Sequence, residues 1–211
     1  MDLSTVRFGV GFHGVSTVPT GERDMCIMEA VAFVAGEAWS DRPACASPVV
    51  AAFLRSWNDG ISDDDRDRLL PAAVWVPRLV GSRGDDATEE RRAYLALDWL
   101  VRVHAPAWLD LVPSLAPHAA GLRALPEIVD MTTAGRAGDT VRAAWDAARA
   151  TEEAAARATA WVTARATARA AAGAAEEAAL RPTVETLQQS AHGLLDRMLA
   201  CGEHRREEEP E

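Results

Sequence analysis

The sequence predicts an all-α protein, with an N-terminal globular domain of several helices followed by a long Ala-rich helix and a final amphipathic helix. Apolar residues recur every three to four positions in several segments, and residues that typically start helices precede them. From about residue 140 alanine dominates, and alanine has the highest helix propensity. Only residues 1–20, rich in Gly, Thr and Pro, suit an extended conformation.

The first helices are indicated by their starting signals. An apolar face predicts a helix over 24–36, which a glycine ends. Ser47 followed by Pro48 is typical of a helix start and predicts a helix to about residue 57. Ser62 precedes three aspartates, which favour a helix N-terminus, and predicts a helix toward residue 70. Prolines make 71–81 a short, irregular helical segment.

The later helices differ in composition. A helix begins at Thr88, and Pro106 ends or kinks it near residue 104. Short helices joined by turns are expected over 113–135. An Ala-rich helix with an alternating charge ladder is predicted over 139–180, and Pro182 then starts a last helix that ends near residue 202.

These elements predict four segments. Residues 1–20 form an extended N-terminal arm and residues 21–135 the helical globular domain. Residues 136–203 hold the Ala-rich long helix and the C-terminal amphipathic helix, and residues 204–211 form a disordered acidic tail. The boundary near 135 follows the change from large apolar residues to alanine.

The composition excludes some functions. All 22 basic residues are arginine, so no lysine can form a Schiff base or serve a P-loop. The formal net charge of −10 argues against direct nucleic-acid binding, which depends on neutralising phosphates. We expect instead a protein partner or self-association, and no sequence feature identifies a cofactor.

The cysteines and the hydropathy predict a cytoplasmic protein. Cys26, Cys45 and Cys201 contain no CxxC pair and are typical of free thiols in a reducing compartment. The N-terminus does not resemble a signal peptide, and charged residues interrupt every long apolar stretch, so no membrane span is expected.

One cluster of residues could carry chemistry. It lies in the first helix, the loop after it and the N-terminal arm, and consists of Cys26, Glu29, Glu37, Asp41, Cys45 and His13. These residue types could form a mixed metal site, although their spacing matches no standard zinc module and no metal is assigned. Alternatively, Cys26 could be a nucleophile with His13 or His104 as its base. The third interpretation is that the cysteines are packed structural residues.

Several blocks of the sequence resemble a known family. They are CIMEAVAFVAGEAWSDRPACASPVVAAFLRSWNDG, EERRAYLALDWLVRVHAPAWLDL, ALPEI and RPTVETLQQSAHGLLDRML. With its CxMEAVAxxxGExxSDxPxCxSPV pattern and Ala-rich helix, the chain resembles a family of uncharacterised proteins from actinobacteria and their phages. The arginine-only, Ala-rich composition is typical of a high-GC genome. The resemblance implies no activity, cofactor or catalytic residue.

Three functional hypotheses follow. The first is a non-enzymatic helical interaction or assembly protein that acts through self-association or partner docking. The second is a small metal- or thiol-dependent enzyme centred on residues 26–45. The third is an acidic antagonist or immunity-type protein that blocks a basic partner.

Overall fold

The computed structural model describes residues 2–13, 24–162 and 166–203, and within these ranges the chain is helical without a β-strand. This confirms the predicted all-α class. None of the helices in these ranges combines the length and apolarity that a membrane crossing requires. The α-helices are α1 (Ile27–Ala35), α2 (Pro48–Gly60), α3 (Asp63–Leu69), α4 (Ala72–Leu79), α5 (Asp86–Trp99), α6 (Ala105–Leu109), α7 (Ala116–Arg123), α8 (Met131–Val162) and α9 (Ala166–Glu203).

Local capping explains where the first helices begin and end. The Ser47 hydroxyl accepts a hydrogen bond from the Val50 N–H at 3.2 Å and starts α2. Ser62 does the same for the Asp65 N–H and starts α3, so both predicted starts are confirmed. Helix α1 ends at Gly36, whose φ of 71° is in the left-handed region that favours glycine.

Pro77 and Pro106 lie inside helical segments and are accommodated differently. Pro77 lies within the short helix α4, in the segment predicted to be irregular. Between α5 and α6 the chain forms a π-helical turn, Leu100–His104, in which the Ala105 N–H bonds to the Leu100 carbonyl. Pro106 follows at the second residue of α6 and lacks an N–H, so the wider turn lets the helical path continue past the predicted end or kink.

The prediction that Pro182 starts the last helix is wrong, because Pro182 lies inside α9. An interior proline removes one backbone hydrogen bond and costs about 3 kcal/mol. The residues after it provide compensating burial, since Leu187, Ala191 and Leu194 are all buried. The predicted continuity of one Ala-rich helix over 139–180 depends on residues 163–165, which lie outside the described ranges.

The chain divides into two compact units, Met1–Ala93 with Leu195–Glu211, and Tyr94–Leu194. The predicted boundary near 135 does not coincide with this division. The physical reason lies at the chain's end, where Leu195, Met198 and Leu199 are buried and the Arg92 Nε donates to the Met198 carbonyl at 2.7 Å. Composition changes at about residue 136, but it does not record which residues pack together.

The described part of the N-terminal arm is irregular and packs within the first unit. Val6 and Phe8 are buried. The Asn58 side-chain amide donates to the Gly9 carbonyl at 2.8 Å, and the Gly11 N–H donates to Asp59 Oδ1 at 2.9 Å. The rest of the predicted arm, over 14–20, and the predicted tail, 204–211, lie outside the described ranges.

Candidate functional site

The carboxylate of Glu29 organises one half of the predicted cluster. Glu29 lies in the first turn of α1 and is fully buried. One oxygen accepts from the His13 N–H at 2.9 Å and from Trp39 Nε1 at 3.0 Å. The other is 2.9 Å from His13 Nδ1 and accepts from the Cys26 N–H at 2.7 Å. Glu29 therefore links three separate stretches of chain.

These donors determine the ionisation of Glu29. Burial works to raise the pKa of this carboxyl, because a charged carboxylate is poorly solvated inside the protein. The hydrogen bonds from the Cys26 and His13 backbone N–H groups and from the His13 side chain outweigh burial, so the pKa is lowered overall. Glu29 is therefore a carboxylate held in place at neutral pH.

Cys26 is the N-cap of α1 and does not have the electrostatics of a nucleophile. Its thiol accepts from the Glu29 N–H while the Glu29 carboxylate accepts from the Cys26 N–H, which completes a capping box. Burial raises the pKa of the Cys26 thiol to about 12, and the neighbouring Glu29 charge adds to the effect. A nucleophilic cysteine needs a lowered pKa, so this geometry favours a packed, neutral thiol.

Glu37 organises the other half of the cluster. Its carboxylate accepts from the backbone N–H groups of Ala44 at 2.5 Å and Cys45 at 2.7 Å, closing the loop that follows α1. Burial raises the pKa of the Cys45 thiol, and Glu37 raises it further. These contacts fix the loop conformation and keep a second thiol neutral.

Asp41 belongs to neither half. Its carboxylate is 3.7 Å from Arg55 Nε, and its carbonyl accepts from the same guanidinium at 3.0 Å. The structure thus joins His13, Cys26 and Glu29, joins Glu37 and Cys45, and pairs Asp41 with α2. Within the described ranges, no three His, Cys, Asp or Glu side chains are placed to share a metal ion.

His104, the other histidine considered as a base, contacts aromatic side chains. Its Nε2 accepts from Trp108 Nε1 at 3.2 Å, and its ring centroid lies 5.1 Å from that of Trp99. Burial lowers the pKa of His104, so its ring is neutral at physiological pH. Its acceptor nitrogen is occupied by the tryptophan.

Helix α8 carries an exposed apolar surface that the sequence analysis did not select. Met131 is 76%, Val141 37% and Trp145 65% exposed. At about 100° per residue, Met131, Gly138 and Val141 all lie within about 40° of Trp145 around the helix axis. We call these four residues the α8 stripe. Exposed apolar groups that share one helix face are typical of interaction surfaces.

A different face of α8 packs into the core of its unit. Ala137 and Ala144 are buried there, in a cluster with Val101, Leu122 and Ile128. Ala144 and Trp145 are adjacent in sequence and therefore about 100° apart around the axis. Helix α8 thus uses one face for the core of its unit, and the α8 stripe remains outside that core.

Comparison with protein-family models, with curated proteins and with solved structures finds no match for this chain.

Sequence reasoning missed two features for which a pattern existed. Cys26 and Glu29 have the spacing of a capping box, with cysteine in place of the usual serine or threonine. A tryptophan within an alternating charge ladder also indicates an apolar group on an otherwise solvated face, as at Trp145. The Trp39 hydrogen bond to Glu29 joins residues ten apart and leaves no pattern in the sequence.

Proposed function

We propose that this chain is a non-enzymatic interaction or assembly protein that docks another protein surface on the α8 stripe. The observation that carries the proposal is the exposure of Trp145, at 65%, on the same face as Met131 and Val141. Tryptophan is the residue most enriched at binding hot spots, because one ring buries a large area with little loss of conformational entropy.

The residues of the predicted chemical cluster make structural contacts, and this supports a non-enzymatic role. Glu29 and Glu37 are engaged by backbone N–H groups, and Cys26 and Cys45 have raised pKa values. These contacts stabilise α1 and the loop after it, and none of them activates a nucleophile. The three cysteines are free thiols, which supports a cytoplasmic setting for the interaction.

Hydroxyl-radical footprinting tests the proposal, since tryptophan and methionine side chains react readily when exposed. We expect Trp145 and Met131 to become protected as the protein is concentrated or placed in cell extract, while Phe12, 60% exposed in the other unit, keeps its reactivity. Trp145→Glu should abolish the protection of Met131, and the matched change Val74→Glu should not. If Trp145 reacts equally under all conditions, the proposal fails.

A further inference from the structure

We propose that the α8 stripe is covered by α8 of a second copy of this chain, packed antiparallel about a twofold axis at the level of Ala144. This inference rests on the proposed function and names the partner for the same surface. What points to a second copy is the charge pattern that runs beside the stripe. When a second copy runs in the opposite direction, each acidic residue of this pattern faces a basic one.

Four exposed charged residues follow one edge of the α8 stripe. They are Asp139, Arg142, Asp146 and Arg149, which alternate in sign and are spaced by three, four and three residues. At about 100° per residue they lie between about 40° and 120° from Trp145, all in the same direction around the axis. They are therefore directed away from the buried face at Ala137 and Ala144.

With a twofold axis at the level of Ala144, a residue that follows Ala144 by a given number of positions faces the residue of the other copy that precedes Ala144 by the same number. Asp146, two residues after Ala144, then faces Arg142 of the other copy, two residues before it. Arg149 and Asp139, each five residues from Ala144, face each other in the same way. Because the twofold axis keeps this edge on one side of the seam, all four cross-pairs are of opposite sign.

The same arrangement buries the exposed tryptophan. Trp145 lies one residue from the axis, so the two copies of its ring are about 3 Å apart along the helix direction. Each ring also lies beside Val141 of the other copy. Gly138, about one helical turn before Val141, has no side chain and leaves room for the two helices to approach each other. The tryptophans supply most of the affinity in this arrangement.

The charges determine register and orientation more than affinity, because exposed ion pairs contribute only about 0–1 kcal/mol each. A parallel twofold pairing would carry the two charged edges to opposite sides of the seam, where the charges of one copy do not meet those of the other. Arg149 already interacts within its own chain, so the pair formed by Arg142 and Asp146 is the better one to test.

Charge-reversal complementation tests the arrangement. Arg142→Asp makes both inner cross-pairs acid against acid, and Asp146→Arg makes both base against base. We expect each variant alone to self-associate about tenfold or more weakly than wild type by sedimentation equilibrium. An equimolar mixture should form heterodimers with wild-type affinity, because every inner pair is then of opposite sign. Native mass spectrometry with one copy isotope-labelled measures them directly.

Mixing the two variants does not restore the ion pairs within either helix. Heterodimer formation therefore reports ion pairs between the two copies. Arg136→Asp, on the opposite face of α8, is the control and should associate like wild type. Circular dichroism checks that every variant keeps its helical content.

The possible failures are distinguishable. If both single reversals associate like wild type while Trp145→Glu is monomeric, the antiparallel arrangement is overturned and the interaction surface stands. If wild type is monomeric but Trp145 is protected in extract, a different partner occupies the stripe and the second copy is overturned. If Trp145→Glu associates like wild type, the arrangement and the proposed function both fail.

Discussion

At the scale of single residues, the most constrained side chain is Glu29. It is fully buried, and its two oxygens accept hydrogen bonds from Cys26, His13 and Trp39. In Glu29→Gln the amide NH₂ would replace one oxygen and face donors, leaving buried N–H groups without an acceptor. We expect a loss of about 2–4 kcal/mol in the free energy of unfolding, measured by urea denaturation.

The control for this change is Glu90→Gln, which makes the same substitution at an exposed glutamate and should leave the urea midpoint unchanged. The effect of Glu29 also depends on pH. Because its pKa is lowered in the folded protein, its stabilisation is complete above about pH 5 and is lost as the pH falls through the folded value. A wild-type protein with the acid sensitivity of Glu29→Gln would contradict this account.

Cys26 makes a separate prediction about reactivity. With its pKa raised to about 12, the thiol is almost entirely protonated at pH 8, and only the thiolate reacts with iodoacetamide. We expect alkylation of Cys26 in the folded protein to be on the order of a thousandfold slower than in urea, where the pKa is about 8.5. Peptide mass spectrometry follows each cysteine separately.

Cys201, which is half-buried, provides the internal reference for this measurement. The raised pKa of Cys26 also makes stability depend on pH. A raised folded pKa favours the neutral thiol, so the contribution of Cys26 is complete below about pH 8.5 and decreases as the pH rises toward the folded value. Native alkylation of Cys26 at its unfolded rate would favour the thiol-enzyme hypothesis instead.

At the scale of elements, sequence predicts those helices whose determinants are local. Ser47 and Pro48 define the start of α2 because the cap and the fixed φ of proline act within one turn. Pro182 misled the prediction because the burial of Leu187 and later residues outweighs a local rule. One contact that holds this part of α9 is the hydrogen bond from Trp99 Nε1 to the Ser190 hydroxyl, 91 residues away along the chain. Likewise, the capping box at Cys26 was visible in the sequence, whereas the contact of His13 with Glu29, 16 residues away, was not.

Replacing either of two glycines in α9 by alanine should change the free energy of unfolding, in opposite directions at the two positions. A Cβ added at Gly202 would lie 2.6 Å from Arg92 Nη2, and Arg92 is held by bonds to the Met198 and Ser82 carbonyls. We expect Gly202→Ala to lower the free energy of unfolding by about 1–3 kcal/mol. Gly193→Ala, where the Cβ meets nothing within 4 Å, should raise it by up to about 1 kcal/mol.

Thermal and urea unfolding measure both variants on one helix. Intrinsic helix propensity favours alanine over glycine, so a loss of stability at position 202 points to the close approach to Arg92. Stabilisation by Gly202→Ala would show that the guanidinium moves aside without cost. The same close approach would then no longer explain why glycine stands at position 202.

At the scale of the whole molecule, the first unit is built from both ends of the chain. Residues Met1–Ala93 are completed by the segment that begins at Leu195. Leu195 and Met198 are fully buried, and the Met198 carbonyl accepts from Arg92, whose side chain is only 1% exposed. Arg78 also pairs with Asp196 at 2.7 Å. The N-terminal sequence alone therefore lacks part of its own core.

A truncated chain tests this topology. Ending the protein at residue 194 removes three buried side chains, each contributing about 1.5–3 kcal/mol, and leaves Arg92 without its Met198 acceptor. That sum is comparable to the whole stability of a typical domain, about 5–15 kcal/mol, so we expect the first unit to lose cooperative urea unfolding. A chain ending at residue 203 keeps these contacts and should unfold like the full protein. If residues 1–194 unfold cooperatively with an unchanged midpoint, the C-terminal segment contributes little to this unit, and the burial of Arg92 must be stabilised by Glu89 and Ser82 alone.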